Sequence, residues 1–340
     1  MTLSIEPRSD ALGAEVRGVD LSKPVDDATL GEIRDAWHEH LLLIYPDQTL
    51  TPEQHIAYSR HFGDLQSHPS GRHNHPDYPE LLLLTNQTDD HGNSVGLRDG
   101  GSVWHSDLSY MAHPSRGSLL YSLAVPEVGG DTEWANMYMA YDALPGDTRR
   151  RIAGLNAVHQ FDQEANPRLS PPVAAMAGPE DHGSIWSKKS AAVKARTPDV
   201  VHPMVRIHRE SGRRALFVNR RFTIAVEGMA RDAGEALLLE LFDCSERPEH
   251  VYHHRWRLGE LLMWDNRCTI HMACGGFALP EIRHMHRTTI LGEVPQPASR
   301  LLKNSSHLKF RHDSVIASTY GGLDARWGPN QRQSFQLYRP

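Results

Sequence analysis

Short apolar runs separated by turn signals recur along this chain, and they constrain its fold more than any other feature. Seven of them read as strands, at residues 81–85, 119–125, 132–134, 204–207, 215–218, 261–264 and 288–291. Turn sequences such as Gly129-Gly130-Asp131 and Ser211-Gly212 lie between several of these runs. Many short strands with few long helices are typical of a β-sandwich or jelly roll. We therefore expect a mainly β fold with flanking helices.

Four segments have the pattern of helices outside this β core. Residues 27–40 carry apolar side chains at helical spacing and lead into an apolar run at 41–45 that predicts a buried strand. Thr51-Pro52-Glu53-Gln54 is a capping box with proline at the first helical position. Asp147 is expected to cap a helix that runs through residue 155, and residues 230–242 predict an amphipathic helix.

Charge and cysteine content exclude several classes of protein. The 340 residues include 36 Lys+Arg against 42 Asp+Glu, a formal charge of −6, which provides no field that would attract nucleic acid or anionic lipid. We expect no nucleic-acid partner and no membrane partner. The 3 cysteines form no Cys-x-x-Cys pair, so neither a thiolate zinc site nor a disulfide framework is expected. With no secretory leader pattern at the N-terminus, the expected location is the cytoplasm.

Two segments depart from the regular pattern. Residues 162–203 contain scattered Pro, Gly, Ser and Lys without a clear period, which predicts a long mobile insertion that could act as a lid. From Pro295 onward the chain is polar and weakly patterned. We expect this tail to wrap the body of the protein or the partner in a homo-oligomer.

The 22 histidines suggest a metal or acid–base site, and two of them combine with a carboxylate. On a strand, His105 and Asp107 would point to one face because residues i and i+2 do so. His271 follows a tight turn after a predicted strand and could return toward the same place. Two histidines and one carboxylate form the facial triad of non-haem Fe(II) oxygenases, whereas a structural zinc site usually needs a fourth protein ligand. The competing pairs in the sequence are His75/Asp77, His208/Glu210 and His284/His286.

Several motifs in matching order make the sequence similar to the taurine dioxygenase and chlorophenoxyacetate dioxygenase (TauD/TfdA) family of Fe(II)- and 2-oxoglutarate-dependent oxygenases. The resemblance covers about residues 5 to 295 and implies a double-stranded β-helix (jelly roll) core. It also implies one oxygenase domain at 1–296, with the 162–203 insertion, and a C-terminal extension at 297–340. The motifs are residues 13–21, Trp104-His105-Ser106-Asp107, Gly129-Gly130-Asp131-Thr132, Leu216-Phe217-Val218-Asn219, Trp264-Asp265-Asn266-Arg267 and Arg283-His284-Met285-His286-Arg287.

The resemblance implies the chemistry as well as the fold. His105, Asp107 and His271 match the Fe(II) ligands of the family. The reaction implied is oxidative decarboxylation of the cosubstrate 2-oxoglutarate by O2 to succinate and CO2, coupled to hydroxylation of a second substrate. Halogenation is not expected because halogenating relatives lack the carboxylate that corresponds to Asp107.

Four further residues match positions that bind the two organic acids. Thr132 matches the residue whose hydroxyl holds one carboxylate of 2-oxoglutarate, and Arg283 matches the arginine that pairs with the distal carboxylate. Arg287 matches an arginine that contacts the acid groups of both the cosubstrate and the substrate. His68 matches a histidine that helps to bind a substrate sulfonate. Arg283 and Arg287 are four residues apart, which would place both on one strand face.

Two departures from the family pattern bear on the substrate. Taurine-oxidising members carry Asn and Tyr where this chain has Gly101 and Gly71, so we do not expect taurine itself. The expected substrate is a small anionic molecule: a sulfonate, sulfate ester, aryloxyalkanoate or amino-acid-like carboxylate. Two alternatives of other classes are a cupin-like metal-dependent isomerase or hydrolase that uses His284 and His286, and a non-catalytic jelly-roll binding protein.

Overall fold

The computed structural model describes residues 2–69, 71–98, 100–161 and 190–298, and most of its regular elements are strands. The strands are β1 Ser4–Pro7, β2 Ala14–Arg17, β3 Leu42–Tyr45, β4 Leu82–Thr85, β5 Gly117–Ala124, β6 Thr132–Asn136, β7 Asn156–His159, β8 Val200–Pro203, β9 Val205–Ile207, β10 Arg214–Leu216, β11 Thr223–Val226, β12 Val251–His254, β13 Leu261–Asp265, β14 Thr269–Ala273, β15 His284–Ile290 and β16 Gln296–Pro297. The helices are α1 Asp27–His40, α2 Pro52–Arg60, α3 Met137–Ala143, α4 Gly146–Ile152, α5 Ala191–Arg196 and α6 Arg231–Ser245, with a 3-10 turn at Pro248–His250.

One large sheet and three small sheets organise these strands. The large sheet has the order β1-β2-β3-β13-β5-β15-β4 and is antiparallel except where β2 runs parallel to β3. The small sheets are β12-β6-β14, β10-β9-β16 and β11-β7-β8. Sequence neighbours are often apart in the large sheet, as expected for a jelly roll, in which the chain alternates between two layers. The expectation of a mainly β, jelly-roll fold with flanking helices is therefore confirmed.

The central strands of the large sheet are apolar on both faces because both faces are covered. On β3, Leu42 belongs to the core cluster that contains Trp134 of the β12-β6-β14 sheet. The next residue, Leu43, belongs to a second cluster that contains Trp37 of α1. Successive side chains of a strand point to opposite faces, so one face packs on the small sheet and the other on the helices. This arrangement explains the uninterrupted apolar run at residues 41–45.

The N-terminal helices follow their sequence signals closely. Helix α1 begins after Asp26, whose side chain accepts a hydrogen bond from the Thr29 backbone N–H. Helix α2 has the predicted capping box: the Thr51 hydroxyl accepts from the Gln54 backbone N–H at 3.3 Å, and the Gln54 side chain accepts from the Thr51 backbone N–H at 2.9 Å. Within the described ranges, every helix is too short or too polar to cross a membrane.

Replacement of Thr51 by alanine removes one half of this capping box. We expect the free energy of unfolding to fall by about 1 kcal/mol, since the first turn of α2 loses a hydrogen bond that no other side chain supplies. Denaturant unfolding measures this loss, and Thr51→Ser, which keeps the hydroxyl, is the control. Equal stability of the alanine variant and the parent protein would show that the cap contributes nothing.

Helix α4 and the insertion differ from their predictions. Asp147 does not cap α4: the helix begins at Gly146 after Pro145, no side chain caps it, and it ends at Ile152. Proline fixes a backbone angle suited to a helix start, which explains why the helix begins before Asp147. The last part of the 162–203 insertion is regular rather than irregular, since it contains α5, capped by Ser190, and β8, which pairs with β7. Residues 162–189 lie outside the described residues.

The expected boundary between residues 296 and 297 falls inside β16. Gln296 and Pro297 pair with Ile207 and Arg206 of β9. The first residue assigned to the C-terminal extension is therefore part of a small sheet, and residues 299–340 lie outside the described residues.

Candidate active site

His105, Asp107 and His271 are buried side chains that meet at one place between the two layers of the fold. The His105 Nε2 atom lies 3.7 Å from Asp107 Oδ1, and the His271 Nε2 atom lies 3.9 Å from Asp107 Oδ2. The two histidines are also joined through the main chain, because each backbone N–H donates to the carbonyl of the other, at 3.0 and 2.8 Å. The spatial convergence proposed from the sequence is thus present in the fold.

The local structure that brings His105 and Asp107 together is not the predicted strand. His105 forms an isolated bridge with His271, and the chain turns from Asp107 onward. Leu108, the next residue, has a φ of 56°, in the left-handed region. The segment is thus a single β-bridge followed by a turn, and it is not part of a longer strand.

Hydrogen bonds define which nitrogen of His105 is available to a ligand. His105 Nδ1 lies 2.9 Å from the carbonyl oxygen of Val103, which can only accept, so Nδ1 carries the proton and Nε2 presents its lone pair toward Asp107. Burial lowers the pKa of both histidines, and for His271 the neighbouring His105 adds to the effect. Both imidazoles are therefore neutral near pH 7.

Asp107 is held as a carboxylate by its surroundings. Burial by itself raises the pKa of this carboxyl, but Arg287, the two neighbouring histidines and the Ser118 hydrogen bond together outweigh burial, and the net pKa lies well below its usual range. The Arg287 Nη1 atom donates to Oδ1 at 2.6 Å, and the Ser118 hydroxyl donates to Oδ2 at 2.7 Å. The Asn266 side-chain oxygen accepts from the Asp107 backbone N–H at 3.1 Å.

Ser118 and Asn266 were not assigned a role from the sequence. The Asn266 amide donates to the hydroxyls of Ser115 and Ser118, both at 3.0 Å, and so orients the group that holds Asp107. Such contacts fix the direction of a ligand carboxylate. The available signal was the Trp264-Asp265-Asn266-Arg267 motif, whose asparagine is the link between the strand β13 and Asp107.

The chemistry of these donors fits a divalent metal ion. A carboxylate oxygen and one nitrogen from each of two neutral imidazoles face one another, with all three possible ligand atoms within 4.8 Å of each other. His105 Nε2 and the carboxylate oxygen can only accept, and His271 Nε2 accepts as well when its ring proton is on Nδ1, so a cation is a partner that suits all three atoms. Two histidines and one carboxylate leave coordination positions open and suit Fe(II).

Two other clusters of metal-ligating side chains occur in the described part of the chain. In the first, buried Asp265 accepts from the Arg267 guanidinium at 2.6 Å and lies 3.0 Å from His208 Nε2. The positive charge of Arg267 therefore already neutralises this carboxylate. In the second, half-exposed His253 bridges surface carboxylates. Neither cluster contains His284 or His286, the pair needed by the cupin-like alternative.

Thr132 and Arg283 lie beside this centre, and each has a donor group that can form a further hydrogen bond. The indole N–H of Trp256 can only donate, and it reaches the Thr132 hydroxyl oxygen at 2.9 Å, which leaves the hydroxyl proton for another acceptor. Arg283 Nε donates to the carbonyl of Gly130 at 3.0 Å, while its two Nη groups make no hydrogen bond or ion pair within the described residues. Burial lowers the pKa of Arg283 to about 10. A buried guanidinium without a carboxylate partner is suited to bind an anion.

A cavity connects all seven residues that were predicted from the sequence. His68 and Arg287 line it together with His105, Asp107, Thr132, His271 and Arg283. Arg72 and Arg221 also line it, whereas Asp107 supplies the one carboxylate among the described lining residues. Arg283 and Arg287 both line the cavity, but they do not lie on one regular strand face as predicted, since Arg283 precedes β15 and the register shifts between His284 and Met285.

Gly101 forms part of the cavity wall next to a metal-ligand candidate. Its φ is +89°, and a Cβ added there would lie 3.1 Å from His105 Cε1. A side chain at this position would therefore press on His105 and strain the backbone. The glycine at this position therefore avoids a close contact with His105 that any side chain would make.

Known proteins with similar sequences and structures share this architecture. A family model described as "Taurine catabolism dioxygenase TauD, TfdA family" matches residues 4–289. The (S)-phenoxypropionate/alpha-ketoglutarate-dioxygenase of Sphingobium herbicidovorans is 34% identical, over 87% of this chain and 96% of that protein. The alpha-ketoglutarate-dependent 2,4-dichlorophenoxyacetate dioxygenase of Cupriavidus pinatubonensis is 33% identical, over 86% and 99%.

A comparison with a solved structure supports the same family. A taurine dioxygenase from Burkholderia xenovorans superposes with a TM-score of 0.70 at 29% identity, covering 87% of this chain and 93% of that one. The relatives are dioxygenases that use alpha-ketoglutarate, which is 2-oxoglutarate. The chain belongs to the TauD/TfdA family of 2-oxoglutarate-dependent dioxygenases.

Proposed function

We propose that this enzyme is an Fe(II)-dependent dioxygenase that hydroxylates a small anionic organic substrate while 2-oxoglutarate is converted to succinate and CO2. One observation carries the proposal: the neutral imidazoles of His105 and His271 face the ionised Asp107 inside a buried cavity lined by arginines. His105, Asp107 and His271 would hold the metal. When bound, Fe(II) would supply the redox chemistry that activates O2.

Thr132 and Arg283 would bind the cosubstrate. The Nη groups of Arg283 form a fork that matches a carboxylate, and the Thr132 hydroxyl can donate to the same anion. Both groups are fixed before the cosubstrate binds, Arg283 by Gly130 and Thr132 by Trp256. This preorganisation favours one orientation of 2-oxoglutarate relative to the three metal ligands.

Arg287 and His68 would recognise the acid group of the primary substrate. Arg287 Nη1 is committed to Asp107, but its buried Nε has no hydrogen-bond partner within the described residues. The arginines around the cavity favour an anion, and the names of two relatives, which act on phenoxypropionate and 2,4-dichlorophenoxyacetate, support an organic acid. The sulfonate, sulfate-ester, aryloxyalkanoate and amino-acid-like carboxylate classes are the candidates.

An assay for succinate tests the proposal. Anaerobically purified protein receives Fe(II), 2-oxoglutarate and O2, with 2-phenoxypropionate, 2,4-dichlorophenoxyacetate, an alkyl sulfate or taurine as the second substrate. We expect succinate to form and at least one acid other than taurine to accelerate it. Succinate no greater than in the same mixture without protein would refute the oxygenase assignment and favour the isomerase, hydrolase or binding-protein alternatives.

Cytoplasmic location and assembly into a homo-oligomer stay predictions from the sequence. The same holds for the absence of nucleic-acid and membrane partners. Gel filtration with light scattering measures the mass of the full chain in solution, and a mass of one chain would contradict the expected oligomer.

A further inference from the structure

A tyrosine in the cavity wall has no role in the assignments made above for the metal, the cosubstrate and the acid group. Tyr110 lines the cavity and is only 2% exposed, yet its hydroxyl has no hydrogen-bond partner among the described residues. An unsatisfied buried hydroxyl lowers stability and is uncommon in folded proteins. Its position beside a ligand cavity indicates that a ligand satisfies it.

The phenol is held firmly by other aromatic rings. The Tyr110 ring stacks on Phe161 with centroids 4.3 Å apart, and it packs on Phe222 with centroids 4.7 Å apart. Leu108 completes this buried apolar cluster. Tyr110, Phe161, Phe222 and Leu108 all line the cavity, and we call this group the aromatic wall.

The aromatic wall lies next to the reacting centre. Phe222 packs on His105, with centroids 6.1 Å apart. Burial raises the pKa of Tyr110, and the nearby charges of Arg287 and Asp107 also act on it. The hydroxyl therefore stays protonated at neutral pH and can donate a hydrogen bond close to the metal ligands.

On these contacts we propose that Tyr110 is a substrate-positioning residue, which donates a hydrogen bond to an oxygen of the primary substrate while the aromatic wall packs against the apolar part of that substrate. The inference rests on the proposed function and narrows its substrate class. The substrate would be an acid with an apolar or aromatic body and an uncharged acceptor oxygen, as in an ether or ester. A compact, fully polar acid would leave the aromatic wall uncovered and the hydroxyl unsatisfied.

Replacement of Tyr110 by phenylalanine separates this role from a structural one. Without any ligand, Tyr110→Phe is expected to raise Tm by about 2 °C, because it removes an unsatisfied buried hydroxyl while it keeps the ring. Tyr138→Phe is the matched control. Tyr138 is also fully buried, but its hydroxyl is 3.1 Å from the Ser211 hydroxyl, so this variant is expected to lose stability.

Two probes test the hydrogen bond to substrate: phenoxyacetate, which carries an ether oxygen, and 3-phenylpropionate, which has a methylene in its place. Their Kd values are measured by calorimetry on the anaerobic enzyme with Mn(II) and 2-oxoglutarate, where no turnover occurs. The parent protein should prefer phenoxyacetate by about tenfold, the value of one buried hydrogen bond, and Tyr110→Phe should lose this preference. Tyr138→Phe should retain it.

Three results would overturn the proposal. They are a lower Tm for ligand-free Tyr110→Phe, an unchanged preference between the probes in that variant, or no binding of either probe to the parent protein. Succinate formation from 2-oxoglutarate alone is measured in parallel for both proteins. If succinate forms while the probe preference is absent, the role of Tyr110 fails and the proposed oxygenase function stands.

Discussion

Substitution of Asp107 by alanine is expected to abolish succinate formation and metal binding together. Asp107 is the one carboxylate of the triad, and both of its oxygens lie within 4 Å of an imidazole nitrogen, at 3.7 and 3.9 Å. Without it, two neutral imidazoles would face a cation with no compensating charge, and the positive Arg287 would stand beside them. Metal content after dialysis and succinate per enzyme measure the two effects.

Folding has to be controlled in this experiment, since alanine also leaves Arg287 buried without its carboxylate. Loss of one partner of a buried ion pair typically costs about 3–5 kcal/mol. Asp107→Asn keeps an acceptor oxygen for Arg287, and its NH2 group can donate to the Ser118 hydroxyl, so it separates unfolding from loss of the metal ligand. A second control, Ser118→Ala, retains the carboxylate and removes the 2.7 Å hydrogen bond that orients it, together with the 3.0 Å hydrogen bond from Asn266 to the serine hydroxyl.

The Ser118 variant should weaken metal binding by about 10- to 100-fold, the usual effect of removing a group that orients a ligand. A folded Asp107→Asn protein with parental metal content and succinate formation would show that the triad is not the metal centre. We expect Asp107→Ala and Asp107→Asn to lose more metal affinity than Ser118→Ala.

Arg283→Ala is expected to weaken 2-oxoglutarate binding while metal binding stays unchanged. Truncation of one partner of a buried, hydrogen-bonded charge pair costs about 2–5 kcal/mol, which is roughly 30-fold or more in Kd. Titration of 2-oxoglutarate into anaerobic, metal-loaded protein measures this difference. Arg283→Lys should recover only part of the affinity, since an ammonium cannot offer the two parallel donors of a guanidinium.

A surface arginine provides the matched control. Arg60 pairs with Glu80 at 2.8 Å on the outside of α2, and its side chain is 60% exposed. Arg60→Ala should leave the Kd of 2-oxoglutarate unchanged. Equal Kd values for Arg283→Ala and the parent protein would refute the assignment of Arg283 to the cosubstrate.

Local signals predicted the helices well and the active-site geometry less well. The ends of α1 agree with the predicted range, and the capping box of α2 is present, because such signals act within one turn of chain. His105 and Asp107 lie close together as predicted, but the strand assumed for them is reduced to an isolated bridge at His105, followed by a turn. The approach of His271 depends on main-chain pairing with His105, 166 residues away by sequence number (271 − 105), which no local pattern encodes.

Contacts between distant segments explain what the sequence did not show. The roles of Ser118 and Asn266 depend on β5 and the end of β13 lying against Asp107. The sequence does not indicate a role for Tyr110, because a single tyrosine carries no periodic signal. Its unsatisfied hydroxyl depends on the packing of the aromatic wall in three dimensions. Asp147 resembled a helix cap, yet the preceding proline starts the helix earlier.

The main-chain pairing of His105 with His271 bears on how the proposed metal ion would be acquired. Two backbone hydrogen bonds, of 3.0 and 2.8 Å, join the ligand-bearing segments without using either imidazole. In zinc fingers the ion must organise an unfolded chain, so metal binding and folding are one event. Here the polypeptide itself keeps the two ligands adjacent, and the ion can arrive last. Removal of metal by a chelator should therefore be reversible, and the emptied enzyme can be reloaded without refolding.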